Sequence, residues 1–387
     1  MRPTREPDLS PIARRLLRPG TWPVALLILL PVRAPLRAEG PWTPGSDAGA
    51  PTAQQTRPAR EAFEREYAAG VEALRRDDAA AARAAFERAV ELAPDSSRAH
   101  FQLAQALAMQ RQFEAALEHL RACLAIDPAD AQAHYLSAVA LTELGRLEPA
   151  TEQVRAALDL DPRQPRYLHQ RGVILRLQSR GDEALEAFEA AQRLDPSSPV
   201  FPFEAGVTLF GMRQHARALV AFRRARSLKP GWPELDNYIG SCHRVRGELD
   251  EAGRAFEAAL EVDGHNSNAL FGLGAVEMAR GDLPAAERFL LRAADLDPDN
   301  PFLRYRLGRL RVLQDRTSEA AAQFERAVAL RPVYPRAHYN LALAYQRLGR
   351  HAEAERELAT FRAQDQSERA ARRPLPDFKF AIPEDEE

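Results

Sequence analysis

A chain of 387 residues with 45% hydrophobic and 28% charged residues has the composition of an ordinary soluble protein, which argues against wholesale disorder and against a polytopic membrane protein. Its 53 basic and 55 acidic residues nearly cancel, to a formal charge of -2, so no positive surplus exists to neutralise a phosphate backbone, and general nucleic-acid binding is disfavoured. The only two cysteines, Cys123 and Cys242, form neither a disulfide framework nor a CxxC pair, and the only two lysines, Lys229 and Lys379, leave no Walker-type GK motif.

The amino terminus carries Arg2, Arg5, Arg14, Arg15 and Arg18 against Glu6 and Asp8, followed by the apolar run Trp22 to Val32. That is the order of a secretory signal, a positive n-region and then an h-region. As a helix this run rises only about 16 Å, roughly half the hydrocarbon thickness of a bilayer, so no integral membrane span is expected. Residues 1–38 therefore read as a signal peptide cleaved after Ala38, giving a periplasmic or secreted protein. The alternative is a disordered tail on a cytoplasmic one. Residues 39–62 are rich in Pro, Gly and small polar residues and read as a flexible linker.

From residue 63 the chain repeats. Prolines stand at Pro94, Pro128, Pro162, Pro196, Pro230, Pro298 and Pro332, spaced by 34 residues except where Gly264 fills one place. With this proline as position 32, nine blocks begin at residues 63, 97, 131, 165, 199, 233, 267, 301 and 335. Position 20 is alanine in all nine, from Ala82 to Ala354; position 8 is Gly or Ala throughout; position 24 is always large and apolar, from Phe86 to Leu358. Small residues at 8 and 20 let two antiparallel helices approach closely. Proline at 32 stops the second helix, because it lacks an N–H and clashes with the carbonyl four residues back. Prolines at position 1 suit a helix start, and Gly145, Gly247, Gly281 and Gly349 suit the turn between helices. A lone hairpin leaves an apolar face bare, so the blocks must stack. In block 4 Gly181 stands two places late in the turn, and block 5 carries Pro202 at position 4. A change of pitch near blocks 4 to 6 is expected, and KPGWPEL, residues 229 to 235, is either a hinge or an ordinary inter-repeat turn. Helix B of block 9 lacks its proline and is expected to run to about Arg373 as a polar cap.

This pattern, small at 8, 20 and 27, large at 4, 7, 11 and 24, and proline at 32, resembles the tetratricopeptide repeat family over residues 63 to about 368. The resemblance implies an all-α, right-handed superhelical solenoid of nine helix-turn-helix repeats over residues 63–373. It also implies a concave groove lined by positions 2, 5, 9, 12 and 13 of helix A, with a protein or peptide as partner. Position 5 reads Tyr67, Phe101, Tyr135, His169, Phe203, Asn237, Phe271, Tyr305 and Tyr339. An aromatic ladder with tyrosine hydroxyls suits an extended or helical partner segment; the alternative is that these rings pack against the next helix. Position 11 turns polar in blocks 6 to 8, as His243, Glu277 and Arg311, which reads either as a ladder of ion pairs able to recognise an anion or as a solvated or mutually satisfied network. The family's lysine-dependent clamp for chaperone tails is absent, because aromatic residues stand where its first lysine belongs.

No catalytic, metal or cofactor site is expected. His100, His134 and His338 all fall at position 4, a helix-packing register, and there is no HExxH, no GxSxG elbow and no phosphate-cradling glycine loop. Cys123 and Cys242 read as inert buried thiols. Residues 374–387, PLPDFKFAIPEDEE, form an acidic tail in which Phe378, Phe380 and Ile382 alternate at period two, an apolar edge that is a candidate for a groove of its own chain or of a neighbour. The sequence reads as a non-catalytic interaction scaffold in envelope or periplasmic complex assembly. A regulatory or substrate-recruiting subunit of a glycosyltransferase, protease or polysaccharide-export machine is the competing reading, and a cytosolic adaptor follows if the amino terminus is not a signal.

Overall fold

The computed structural model describes residues 53–371; the expectations for the signal peptide and for the tail after residue 373 lie outside them. Among the described residues all regular structure is helical, as nine antiparallel pairs. Repeat 1 is α1 (Ala53–Arg75) with α2 (Ala79–Leu92), repeat 2 is α3 (Ser97–Met109) with α4 (Phe113–Ile126), and repeat 3 is α5 (Ala131–Glu143) with α6 (Leu147–Leu160). Repeat 4 is α7 (Pro165–Leu177) with α8 (Gly181–Leu194), repeat 5 is α9 (Val200–Gly211) with α10 (His215–Leu228), and repeat 6 is α11 (Pro233–Val245) with α12 (Leu249–Val262). Repeat 7 is α13 (Ser267–Arg280) with α14 (Leu283–Leu296), repeat 8 is α15 (Pro301–Leu313) with α16 (Thr317–Leu330), and repeat 9 is α17 (Pro335–Arg347) with α18 (His351–Ala371).

The chain divides into two compact units, Met1–Leu194 and Asp195–Glu387, holding repeats 1 to 4 and repeats 5 to 9. Within each, every helix A packs on its own helix B, every helix B on the next helix A, and successive A helices touch. This nearest-neighbour stacking defines an all-α repeat solenoid. The helix α1 starts at Ala53, inside the segment expected to be linker, and carries Pro58 within it. That expectation is corrected for residues 53–62, which are helical: the stretch after Pro51 has no glycine, and the helix continues through Pro58.

Each hairpin is closed by one contact. The alanines at position 20 are all buried, and in five of the six repeats with glycine at position 8 that glycine faces a ring at position 24, Gly274 facing Leu290 instead. A Cβ at Gly172 would meet Phe188 Cε1 at 2.5 Å, and at Gly308 it would meet Phe324 Cε1 at 2.5 Å. Gly70, Gly206 and Gly240 face Phe86, Phe222 and Phe256 in the same way. Where position 8 is Ala104, Ala138 or Ala342, position 24 is Leu120, Val154 or Leu358. The two sites trade volume, as close packing requires.

The inter-helix turn is equally regular. Position 15 is left-handed in all nine repeats, with glycine at 145, 247, 281 and 349, and with Asp77, Arg111, Ser179, Arg213 and Asp315 in the others. The N–H of position 16 then donates to the carbonyl of position 11, as in Arg180 to Leu175 (2.9 Å) and Gln214 to Leu209 (2.9 Å), a Schellman closure. Block 4 is therefore not displaced: Ser179 makes its turn with φ 68°, and Gly181 opens α8. The segment from 229 to 235 is an inter-repeat turn pinned by Trp232, which is 4% exposed and lies 4.5 Å from the Phe203 ring.

Candidate partner-binding face

The position-5 residues sit three places before position 8, on the same helix face, so their rings lie beside the position-24 ring. Ring centroids are 5.6 Å apart for Tyr67 and Phe86, 5.7 Å for His169 and Phe188, 6.1 Å for Phe203 and Phe222, and 5.7 Å for Tyr305 and Phe324. Residues leading into or opening the next helix A cover several of them from the other side, as in Tyr135 on Tyr167 at 5.1 Å and Tyr305 on Tyr334 at 5.2 Å. The ladder is thus divided. Tyr135 and His169 in the first unit, and Phe203 and Tyr305 in the second, are buried and serve as core. Tyr67, Phe101 and Phe271 are half-buried, and Tyr339, on the last repeat, is 42% exposed. Burial pushes the Tyr135 hydroxyl up to about 12, against the opposing pull of Arg166, so it stays a neutral phenol.

The polar set at position 11 is not a ladder. His243 Nδ1 lies 2.5 Å from Glu248 Oε2, Glu277 Oε1 accepts from Arg280 Nη1 at 2.7 Å, and Arg311 Nη1 lies 2.6 Å from Glu287 Oε1. Position 11 lies in the last turn of helix A, where partners three or five residues on, or on the preceding helix B, are nearer than the equivalent site one repeat away. His243, Glu277 and Arg311 each close a local pair, the mutually satisfied arrangement that is one of the two readings of this register.

The sequence reading passed over two polar features. Gln170 Nε2 donates to Thr142 Oγ1 at 2.9 Å and Asn340 Nδ2 to the Tyr305 hydroxyl at 3.1 Å, each across a repeat boundary, while Asn237 Nδ2 donates at 3.1 Å to Oδ1 of Asn266, the residue that caps α13. In addition, the position-4 histidines reach back six residues to the proline carbonyl: His100 to Pro94 at 2.8 Å, His134 to Pro128 at 3.1 Å and His338 to Pro332 at 2.9 Å. Arg304 donates to the Pro298 carbonyl at 3.0 Å through Nε. The constant spacing was visible in the chain; its role as a side-chain cap for the end of the preceding helix B was not.

Among the described residues no group of three or more His, Cys, Asp or Glu side chains is placed to hold a metal ion, and no helix is long and apolar enough to cross a membrane. Both cysteines are buried, and burial pushes the Cys242 thiol up to about 12, which removes the thiolate needed for reactivity. Among the position-5 rings, Tyr67, Phe101, Phe271 and Tyr339 remain accessible. In the first unit the Arg98 guanidinium lies 4.8 Å from the Phe63 ring and 4.7 Å from the Tyr67 ring, and it pairs with Glu64. In the second unit Arg306, itself buried, lies 5.4 Å from the Phe271 ring.

Tetratricopeptide repeat models match residues 67–131, 203–261 and 243–301, and residues 107–170, while a TPR repeat model matches residues 308–349. Together they cover more than half of the chain, which belongs to the tetratricopeptide repeat superfamily. Among solved structures, the APC/C hetero-tetramer Cut9-Hcn1 is similar with a TM-score of 0.52 and 18% identity, over 74% of this chain and 56% of that one; this likeness shows the shared fold. The structure of pilF from Pseudomonas aeruginosa gives a TM-score of 0.47 at 21% identity, over 55% of this chain and 96% of that one. PilW, described as a type IV pilus biogenesis factor, gives 0.49 at 20%, over 52% and 94%. No curated protein matches the sequence.

Proposed function

We propose that this protein is a non-catalytic interaction scaffold that binds a segment of a partner protein on the helix-A side of its repeats, in the assembly of envelope complexes. The observation that supports it is the division of the position-5 rings: half of them are consumed as core, while Tyr67, Phe101 and Phe271 keep accessible edges, with the half-buried Arg98 guanidinium against the Tyr67 ring. Such surfaces meet extended peptides through ring faces and through charge-assisted hydrogen bonds to carbonyls and carboxylates. The envelope setting rests on the order of arginines and apolar residues before Ala38.

A photo-reactive residue at Phe101 and another at Phe271, each in the full chain in its native host, tests both parts. The control is Arg155 on α6, whose side chain is 82% exposed. Capture of one envelope protein from the two helix-A positions and not from the control is the expected result. Equal capture from all three positions sinks the binding face, and capture of cytosolic proteins alone sinks the envelope setting. Sequencing the mature amino terminus checks the signal directly, with Glu39 expected first.

A further inference from the structure

The last repeat differs from the others at the face where a following repeat would stack. In repeats 1 to 8, position 27 is Ala or Cys, and from Ala89 to Ala327 it is wholly buried. In repeat 9 that position is Phe361. It is half-buried, and its ring lies 5.2 Å from that of Tyr339. Tyr339 is itself the position-5 ring, and at 42% exposure it is open where Tyr305, 6% exposed, is covered. The Tyr305 hydroxyl accepts from Asn340 of the next repeat; the Tyr339 hydroxyl has no such partner among the described residues. Repeat 9 therefore ends in an apolar face that a further hairpin cannot seat on, because Phe361 fills the space that a small residue leaves for the next helix A.

We propose that residues 376–383 of the same chain lie in extended form across Tyr339 and Phe361 and cover this face. An extended segment needs no seat at position 27, and side chains two residues apart share one edge. Phe378, Phe380 and Ile382 form such an edge, and Pro376 and Pro383 bracket it. The reach is sufficient. The described part of α18 ends at Ala371, ten residues past Phe361, which is about 15 Å of helix, and the seven residues from Ala371 to Phe378 span up to about 24 Å when extended.

The test uses the full chain with a photo-reactive benzoyl-phenylalanine in place of Phe380, irradiated as a mixture of isotopically light and heavy protein. Crosslinks inside single molecules, to peptides containing Tyr339 or Phe361, are expected. Tyr339→Ser, at a half-open position, is expected to reduce them several-fold with the far-ultraviolet dichroism unchanged. Crosslinks only between light and heavy molecules assign the face to a second copy and overturn the proposal. So do crosslinks to other helices, an undiminished yield in Tyr339→Ser, or no crosslink at all. As an independent readout, Phe378→Ser with Phe380→Ser is expected to speed amide exchange in α17 and the first half of α18 at least about threefold; unchanged exchange there counts against it.

Discussion

One added carbon at Gly206 tests how tightly a hairpin is closed. A Cβ there meets Phe222 Cε1 at 2.5 Å, and overpacking of this kind costs about 1–3 kcal/mol. Gly206→Ala is expected to lower the denaturation midpoint, and adding Phe222→Leu to recover part of the loss, since repeat 2 already pairs Ala104 with Leu120. A double-mutant cycle measures the coupling, and strictly additive effects would remove the argument from complementary volumes. Histidines supply a second test at this scale. Burial first, and then the His100 ring, hold His119 below its ordinary pKa, against Glu118 and Glu87. Burial, Arg213 and Arg246 do the same to His215. A histidine whose pKa falls on folding binds its proton more readily in the unfolded chain, so this stabilisation is full above the ordinary value of 6.5 and is lost as pH falls below it. The melting midpoint is expected to drop between about pH 7.5 and about pH 5.5. His119→Gln copies repeat 3, where Gln153 Oε1 lies 2.7 Å from His134 Nδ1, and is expected to flatten part of that drop. An unaltered pH response in this variant would exclude His119 as a source.

At the scale of the hairpin, the left-handed turn gives a signed pair of predictions. Ser179 holds φ 68°, a conformation that costs an L side chain about 1–2 kcal/mol, whereas Gly349 holds φ 75° without that cost. Ser179→Gly is expected to raise the midpoint by about 0.5–1 kcal/mol of stability, and Gly349→Ala to lower it by about 1 kcal/mol. Opposite signs in chemical denaturation would mean that the turns are not limited by backbone strain. The same turn shows what could be read in advance. The 34-residue register, the alanines at 20 and the small residues at 8 state the hairpin outright, because only small side chains permit that approach. Gly181 misled, since the Schellman closure is made by backbone groups of positions 11 and 16 and tolerates serine at 15. The binding face was less legible. Whether a position-5 ring is core or surface depends on how closely neighbouring residues cover it, and no single position records that. His243, Glu277 and Arg311 share a register number, yet each has a nearer partner than the other two.

For the molecule as a whole, stability in a stack of this kind is a sum of repeat terms and neighbour terms. Phe256 is wholly buried and is approached both by Gly240 of its own repeat and by Gly272 of the next. Phe256→Ala is expected to cost about 3–5 kcal/mol, seen as faster amide exchange in repeats 6 and 7, with repeats 1 to 4 keeping their protection. Uniform loss across both units would show a single cooperative fold instead.

The double approach to Phe256 also bears on how such a chain lengthens. In most repeats the glycine at position 8 answers a ring inside the same 34 residues, so a copied block arrives with its own fit already made. Repeat 7 is different: Gly272 is shaped to a ring that repeat 6 supplies. A duplication or exchange with its boundary between blocks 6 and 7 would therefore leave an aromatic ring facing a side chain where it had faced none.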